Sequence, residues 1–438
     1  MRQSFVAVVF VCGVACSPPS SGAPRPIAAV DVADVERIVA VLASDQMAGR
    51  AALMAGAARA AAFIRAEFAG IGLDTFAGAS DYLQAVPLHS VRVVDAQVRM
   101  DGEAIAGGNT LLRVTVADVD WDDTTDVDVS YVGPADDVRA AVSGALNGTR
   151  NRLVVVHPEH RQVFGTYRRF VTGRVVAGEP VTGPTVVLVL RDTPPTAFSI
   201  HVRTEVRIHE AMNVVGVLPG RRADEIVLFS AHYDHIGIRP AVQGDSIGNG
   251  ANDNASGTTG VIALARYFKA LGPQERTLVF VAFTAEEIGG FGSRYFASRV
   301  NPDHIVAMFN LEMIGKPGNE GPNSAWITGF DRSSFGTILQ EAVAGTPYRF
   351  YPDPYPSQRL FYRSDNATLA RLGVPAHSIS TTPIDVDPDY HQVTDEVETL
   401  DIPHLTATIR AIAAGARTIV SGEATPTRVD TTQLAPRR

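Results

Sequence analysis

The stretch IVLFSAHYDHIG (226–237) decides the fold: an apolar, β-prone run that delivers a histidine and an aspartate at its end. Read outward from it, the chain after about residue 212 repeats strand, loop and helix. Candidate strands are 225–231, 277–283, 305–311, 324–329 and 375–380, with amphipathic helices such as 257–271 between them. That alternation predicts an α/β sheet with helices on its faces. In such sheets ligands bind in the crevice beyond the carboxyl ends of the strands. The chain places chemistry there. The first strand runs into His232-Tyr233-Asp234, LVFVAFTA (278–285) ends in Glu286-Glu287, and IVAMFNL (305–311) ends in Glu312. Between the first two lies NGANDNASG (249–257), with Asp253 at its centre, and His391 follows in DPDYHQVTDE (387–396).

Each element has an ordinary reading. A histidine at a strand end is commonly a structural hydrogen-bonding residue, an aspartate among Asn and Gly a turn or cap, and a Glu-Glu pair a solvated helix start. Convergence at one sheet edge is not predicted by those readings, because uncompensated carboxylates repel. Two histidines, three carboxylates and an adjacent fourth acid suit two divalent cations that share the aspartate. Zinc accepts imidazole and carboxylate at about 2.0–2.2 Å. Paired catalytic metals clamp a hydrolytic water and a carbonyl.

Composition narrows the rest. The 438 residues carry 38 Lys and Arg against 47 Asp and Glu, a net charge of −9, and 45% hydrophobic residues. That is a globular balance without the basic clustering of a nucleic-acid binder. No apolar run in the body reaches the roughly 20 residues that span a bilayer. The two cysteines, Cys12 and Cys16, sit in the leader, so the body has neither a disulfide framework nor a thiolate metal site. MRQSFVAVVFVCGVAC (1–16) reads as a secretory signal. Its last four residues resemble a bacterial lipoprotein cleavage box with Cys16 lipidated, which implies a cell-envelope or secreted protein that meets a membrane surface only through that anchor. Residues 17–28 read as a flexible tether. Val32 to Leu42, and the pattern through Ala57, Ala60, Ile64 and Phe68, read as packing helices. From 88 to 206 short β-type runs (127–132, 153–156, 185–190) follow one another without a helix of convincing length, so a β-rich insertion is expected. His157 and His160 are read there as surface residues. The polar tail 423–438 is expected to be disordered.

Taken together, AHYDHIG (231–237), NGANDNASG (249–257), FTAEE (283–287), NLEMIG (310–315), YRSDN (362–366) and YHQVTDE (390–396) resemble, in order, the motifs of the co-catalytic di-zinc exopeptidase family of bacterial secreted aminopeptidases. Glutaminyl cyclases and glutamate carboxypeptidases share that superfamily. LASDQMAGR (42–50) and YLQAVPL (82–88) also resemble family segments. The resemblance implies a three-layer α/β fold with a mixed, mostly parallel sheet, its catalytic domain in two parts (29–87 and 207–422) around the insertion, which would be protease-associated-like. It implies that Asp253 bridges two Zn2+ ions, that His391 and Glu287 complete one site, and that His232 and Glu312 complete the other. Asp234 would orient the His232 ring through its carboxylate. Glu286 would be the general base acting on a metal-bound water, and Tyr362 a donor to the developing oxyanion. It also implies a cis peptide at Asp253–Asn254. The implied activity is hydrolysis of a peptide with a free N-terminus. Two departures stand out: many relatives carry Asp at Glu312, and His at Asn366. His235, His377 and His404 match no metal position and are read as structural. The rival readings are a single-zinc acyltransferase of the glutaminyl cyclase type, for which Trp121 and Trp326 are the only tryptophans available to an aromatic pocket, and a catalytically inactive binding module on the same scaffold.

Overall fold

The computed structural model of the chain describes residues 30–171, 174–178, 183–384 and 386–435. The leader 1–16 with Cys16, and the tether 17–28, lie outside the described residues. No helix among the described residues is long and apolar enough to cross a membrane.

Beside the two-residue edge strand Glu103–Ala104, eight strands make up the main path of one large sheet: β1 (Leu83–Met100), β2 (Phe198–Leu218), β3 (Gly220–His232), β4 (Gln274–Phe283), β5 (Ile305–Leu311), β6 (Ser324–Ile327), β7 (Arg349–Pro352) and β8 (Ala376–Ser380). Their order is β7-β6-β8-β5-β3-β4-β2-β1. The centre is parallel, with β3 paired to both β4 and β5, and β5 to β8. The flanks are antiparallel, β2 against β4 and β6 against β8. Parallel strands are covered on both faces, which is why β3 and β4 read as unbroken apolar runs. Phe229, Phe280 and Phe309 point to one face and pack with α1 (Val32–Leu42), α2 (Ala55–Ile71), α3 (Gly257–Leu271), α4 (Phe335–Ala342) and α5 (Ile402–Val420). Leu228, Val281 and Met308 point to the other, against Phe296 and Leu369 from shorter helices. The three-layer expectation is met. α2 runs on through Gly70 and stops at Gly72, whose φ of 75° closes the helix in the left-handed region.

The segment between β1 and β2 differs from expectation. Residues 88 and 206 lie inside β1 and β2, which pair antiparallel along nearly their whole length. A separate sheet begins only at Thr110–Arg113 and continues through Asp128–Val132, Arg152–Val156 and Val186–Leu190. Three of its strands are parallel neighbours, which requires crossovers. The helices Val138–Leu146 and Arg161–Val171 supply them, so the segment is α/β rather than helix-free. Asp137 caps the first through the Arg139 and Ala140 amides. Trp121 is buried in this region, in contact with the insertion core and not with the strand ends of the main sheet.

The tail also departs from expectation over residues 423–435. Arg276, buried on β4, donates to Ile419 O and Ala424 O, each at 2.7 Å. Val429 is buried, and its amide bonds Gly373 O at 3.0 Å. A buried guanidinium loses hydration and needs polar partners, and the tail adds Ala424 O and Thr425 Oγ1 to those supplied by Glu225 and Ile419.

His377 on β8 is structural as expected. Its ring stacks on Phe335 with centroids 4.9 Å apart, its Nδ1 donates to Thr328 O at 2.8 Å, and Nε2 lies 2.7 Å from Ser333 Oγ. Burial pushes its pKa down to about 4. The unfolded ring titrates near 6.5. The neutral ring therefore contributes stability above that pH, and the contribution is lost as pH falls toward 4. In urea unfolding, the stability advantage of the native chain over His377→Phe should shrink by about 2–3 kcal/mol between about pH 7.5 and pH 4.5.

Candidate metal centre

β3, β4 and β5 end level with one another: His232 pairs with Phe283, and Ser230 with Asn310. The residues that follow therefore meet at one edge. His232 Nε2 lies 3.3 Å from Asp253 Oδ1 and 3.2 Å from Glu312 Oε1. His391 Nε2 lies 3.2 Å from Asp253 Oδ2 and 3.2 Å from Glu287 Oε2. The two oxygens of Asp253 thus face two different imidazoles. Tetrahedral bonds of about 2.0–2.1 Å set ligand atoms about 3.3 Å apart, and these spacings agree. The donor set is nitrogen and oxygen only, which suits zinc. All five anticipated ligands, with Glu286, line one cavity of about 260 Å³.

The backbone around the site is held in unusual conformations. The Asp253–Asn254 peptide is cis. Ala285 (φ 59°), Met313 (φ 51°) and His391 (φ 58°) all lie in the left-handed region, which costs non-glycine residues energy and persists only where surroundings impose it. Asn254 is one such constraint: Nδ2 donates to Leu311 O at 2.9 Å, and Oδ1 accepts from Gly257 and Met313 amides. A Cβ at Gly257 would meet Asn254 Oδ1 and Leu311 O at 2.3 Å, so only glycine fits there.

Electrostatics mark the place as built for cations. Burial opposes a charged His232, yet Glu312 and Glu286 hold it well above its ordinary pKa. Burial likewise works against His391, but bonds to Asp253 and Glu287 raise it to about 10. Burial drives Glu286 well above the usual carboxylate range, reinforced by Asp365, Glu312 and Glu287. Asp253 is half of a tightly coupled set; burial would raise it, and the facing imidazoles pull it well below.

Several side chains depart from their anticipated places. Asp234 does not hold His232 with its carboxylate, which is 3.9 Å from Nδ1; the ring instead donates to the Asp234 backbone carbonyl at 3.0 Å. The carboxylate accepts from the amides of Glu286 and Glu287, at 3.0 and 3.3 Å. Tyr362 lies outside the cavity, and its hydroxyl accepts from the Ala435 amide at 3.2 Å. The hydroxyl expected to face an oxyanion is engaged with Ala435 in this structure: tyrosine in YRSDN marks a neighbourhood, not a direction. Asn366 points into the fold, donating to Phe361 O and Ala376 O. Glu312 reaches two partners, since its second oxygen accepts from Ser364 Oγ at 2.5 Å.

Sequence reasoning missed four contributors. His235, read as structural, has Nδ1 2.8 Å from Glu287 Oε1 and 3.8 Å from Asp253 Oδ2. It groups with those two acids as ligand atoms within one ion's reach. Tyr390 lines the cavity and stacks on His391, with centroids 4.1 Å apart. Asp395 accepts from the amides of Asn252 and Asp253, at 2.9 and 3.0 Å. Arg50, fully buried, donates to four carbonyls, those of Leu42, Tyr233, Asn249 and Gly250. The signal for Asp395 was its place four residues after His391; for Arg50 there was only its motif.

Residues 213–416 match Peptidase family M28. The chain carries a peptidase family M28 domain. A stretch of 110 residues is 32% identical to Aminopeptidase YwaD of Bacillus subtilis (strain 168), covering 24% of this chain and 22% of that protein. Another, of 203 residues, is 28% identical to Probable leucine aminopeptidase 1 of Trichophyton verrucosum (strain HKI 0517), covering 44% and 54%. The chain thus spans about half or less of the length of these curated relatives. Among solved structures it resembles the aminopeptidase from Aneurinibacillus sp. strain AM-1, with TM-score 0.56 and 16% identity over 93% of this chain and 97% of that one. It resembles BSAP, a zinc aminopeptidase from Bacillus subtilis, equally, with TM-score 0.56 and 16% identity over 91% and 97%. These two likenesses show a shared fold. The M28 domain holds all five anticipated ligands and Glu286, whereas Arg50 reaches it from outside.

Because Asp395 fixes the amide of the residue shared between the two clusters, Asp395→Asn should weaken zinc binding by about 10- to 100-fold in a competition titration with a chromogenic chelator. The melting temperature of the chain without metal should change less than that of the zinc-loaded chain.

Proposed function

We propose that the chain is an exported zinc-dependent aminopeptidase that hydrolyses N-terminal peptide bonds, with export resting on residues 1–16. The observation that carries the reading is the division of labour in the Glu286-Glu287 pair. Glu287 faces His391 and His235, while Glu286 lines the same cavity without being drawn into either ligand cluster. One acid is left free for proton transfer.

His232, Asp253 and Glu312 would hold one zinc ion, and His391, Asp253 and Glu287 the other, with His235 as a further donor beside the second. Zinc at such a place supplies Lewis acidity toward a carbonyl and toward water. Glu286 takes a proton from water and returns it to the leaving nitrogen. Asp234 fixes the Glu286 amide and so sets where the carboxyl group stands. The free amine of the substrate lies on the Glu312 side. Its first side chain rests on Met313, Trp326, Leu360 and Ile384, an apolar wall suited to leucine-like residues.

The test is release of leucine from short leucyl peptides by the zinc-reconstituted chain. Glu286→Gln should lower kcat by about 10²- to 10⁴-fold while leaving the zinc content at two per chain. Full activity in that variant, or cyclisation of N-terminal glutamine with one zinc bound, would overturn the reading.

A further inference from the structure

A second cavity, of about 990 Å³, adjoins the metal cavity and shares Glu286, Gly289, Arg363 and Ser364 with it. Its walls carry Arg294, Arg359, Arg363 and Arg371, and Glu286 is the one acidic residue among those lining it. Among the described residues none of the four arginines forms an ion pair with a carboxylate. Arg359 and Arg371 lie against the ring of Tyr362, each 5.4 Å from its centroid, and Arg294 lies 4.3 Å from that of Phe291. Arg363 donates to Tyr390 Oη at 3.3 Å, and Arg371 reaches Ala367 O at 3.2 Å while its Nε is buried without a hydrogen-bond partner. In a protein with net charge −9, like charges gathered in one hollow are unfavourable unless an anion joins them. Aromatic stacking keeps the guanidinium planes ordered and their N–H edges available. Tyr362, which sequence placed at the reaction centre, serves here as the platform.

We infer that this groove is the recognition site for a carboxylate carried by the substrate downstream of the scissile bond, either an acidic side chain or the free C-terminus of a short peptide. The inference rests on the proposed aminopeptidase reading for its direction. Glu286 delivers its proton to the leaving nitrogen, so a cavity that shares Glu286 but not the apolar wall of Trp326 and Ile384 receives the leaving part of the peptide. Guanidinium recognises carboxylate through paired N–H donors, which gives orientation as well as attraction.

The zinc-loaded Glu286→Gln chain is titrated calorimetrically with Leu-Gly-Gly free acid, Leu-Gly-Gly amide and Leu-Glu-Gly amide. A carboxylate-bearing peptide should bind about tenfold more tightly than the neutral amide, with the gain shrinking as salt rises from about 0.05 to 0.5 M. A gain for the free acid alone assigns the groove to the C-terminal carboxylate, and a gain for the glutamyl peptide alone assigns it to an acidic side chain. In the same background Arg359→Gln with Arg371→Gln should bring the ratio close to one, while Arg221→Gln, on a remote surface, keeps it. Equal binding of the three peptides, absence of binding by all of them, or a charge preference that survives loss of the arginines would overturn the inference. Leucine release by the unmutated chain is read separately: charge-selective binding without release sinks the peptidase reading and leaves the groove standing.

Discussion

A knot of buried acids governs this molecule. Asp234, Asp253, Asp365 and Asp395 are each 3% exposed or less, and Glu286, Glu287 and Glu312 stand over them at the cavity wall. Such a cluster is unstable without compensating positive charge. Arg50, a permanent cation close by, has its guanidinium turned to backbone carbonyls instead of carboxylates. Burial lowers its pKa to about 10 even though Asp395, Asp253, Asp234 and Glu287 pull the other way. Arg50 fixes the loops that carry the acids and leaves the acids themselves to be balanced from outside. Divalent ions are the natural complement, and the imidazoles of His232 and His391 already sit between the carboxylates where such ions would bind.

The sheet makes this arrangement possible. Parallel neighbours β3, β4 and β5 end side by side, so residues distant in sequence leave the sheet together. Loops then add what strands cannot. Asp253 enters from the turn before α3, its amide pinned by Asp395, and His391 comes from the segment after β8. The stretch 42–50, between the two helices read from sequence as packing, is joined to this network: Leu42 O, Tyr233 O, Asn249 O and Gly250 O share one guanidinium, and the Ala51–His235 bridge lies beside it. The first helices and the site are therefore joined through Arg50, the Ala51–His235 bridge and the bond from Asn249 to Asp45.

The parallel core and the gathering of acids and histidines at its strand ends were legible because both depend on local pattern: apolar runs of strand length, each followed at once by an acid or a histidine. α1 and α3 matched their anticipated bounds for the same reason. What stayed hidden depends on partners far along the chain. The helix Arg161–Val171 carries Val163, Phe164 and Tyr167 at helical spacing, but it is short and arginine-rich between β-type runs, and the need for a crossover appears only once its flanking strands pair in parallel. The tail looked disordered by composition, but Arg276, 148 residues before Ala424 in the chain, requires its carbonyls. The arginine groove was equally invisible, since Arg294, Arg359 and Arg371 meet only after two short helices bring them together.

Asp234 shows how a familiar motif is reused by this backbone. Its carbonyl accepts a hydrogen bond from His232 Nδ1, which turns Nε2 toward Asp253 and Glu312. Its carboxylate spans the amides of Glu286 and Glu287, just after Ala285 turns the chain through a left-handed conformation. One residue thus sets the orientation of the His232 ring on β3 and the position of the acid pair beyond β4. Burial raises its pKa to about 6, against the pull of His232 and of the two amides it binds. An ionised carboxylate is what those amides favour, so any change that strengthens positive charge at the centre also tightens its hold on Glu286. Glu286 and the cluster of His232, Asp253 and Glu312 are coupled through a side chain that stands outside both.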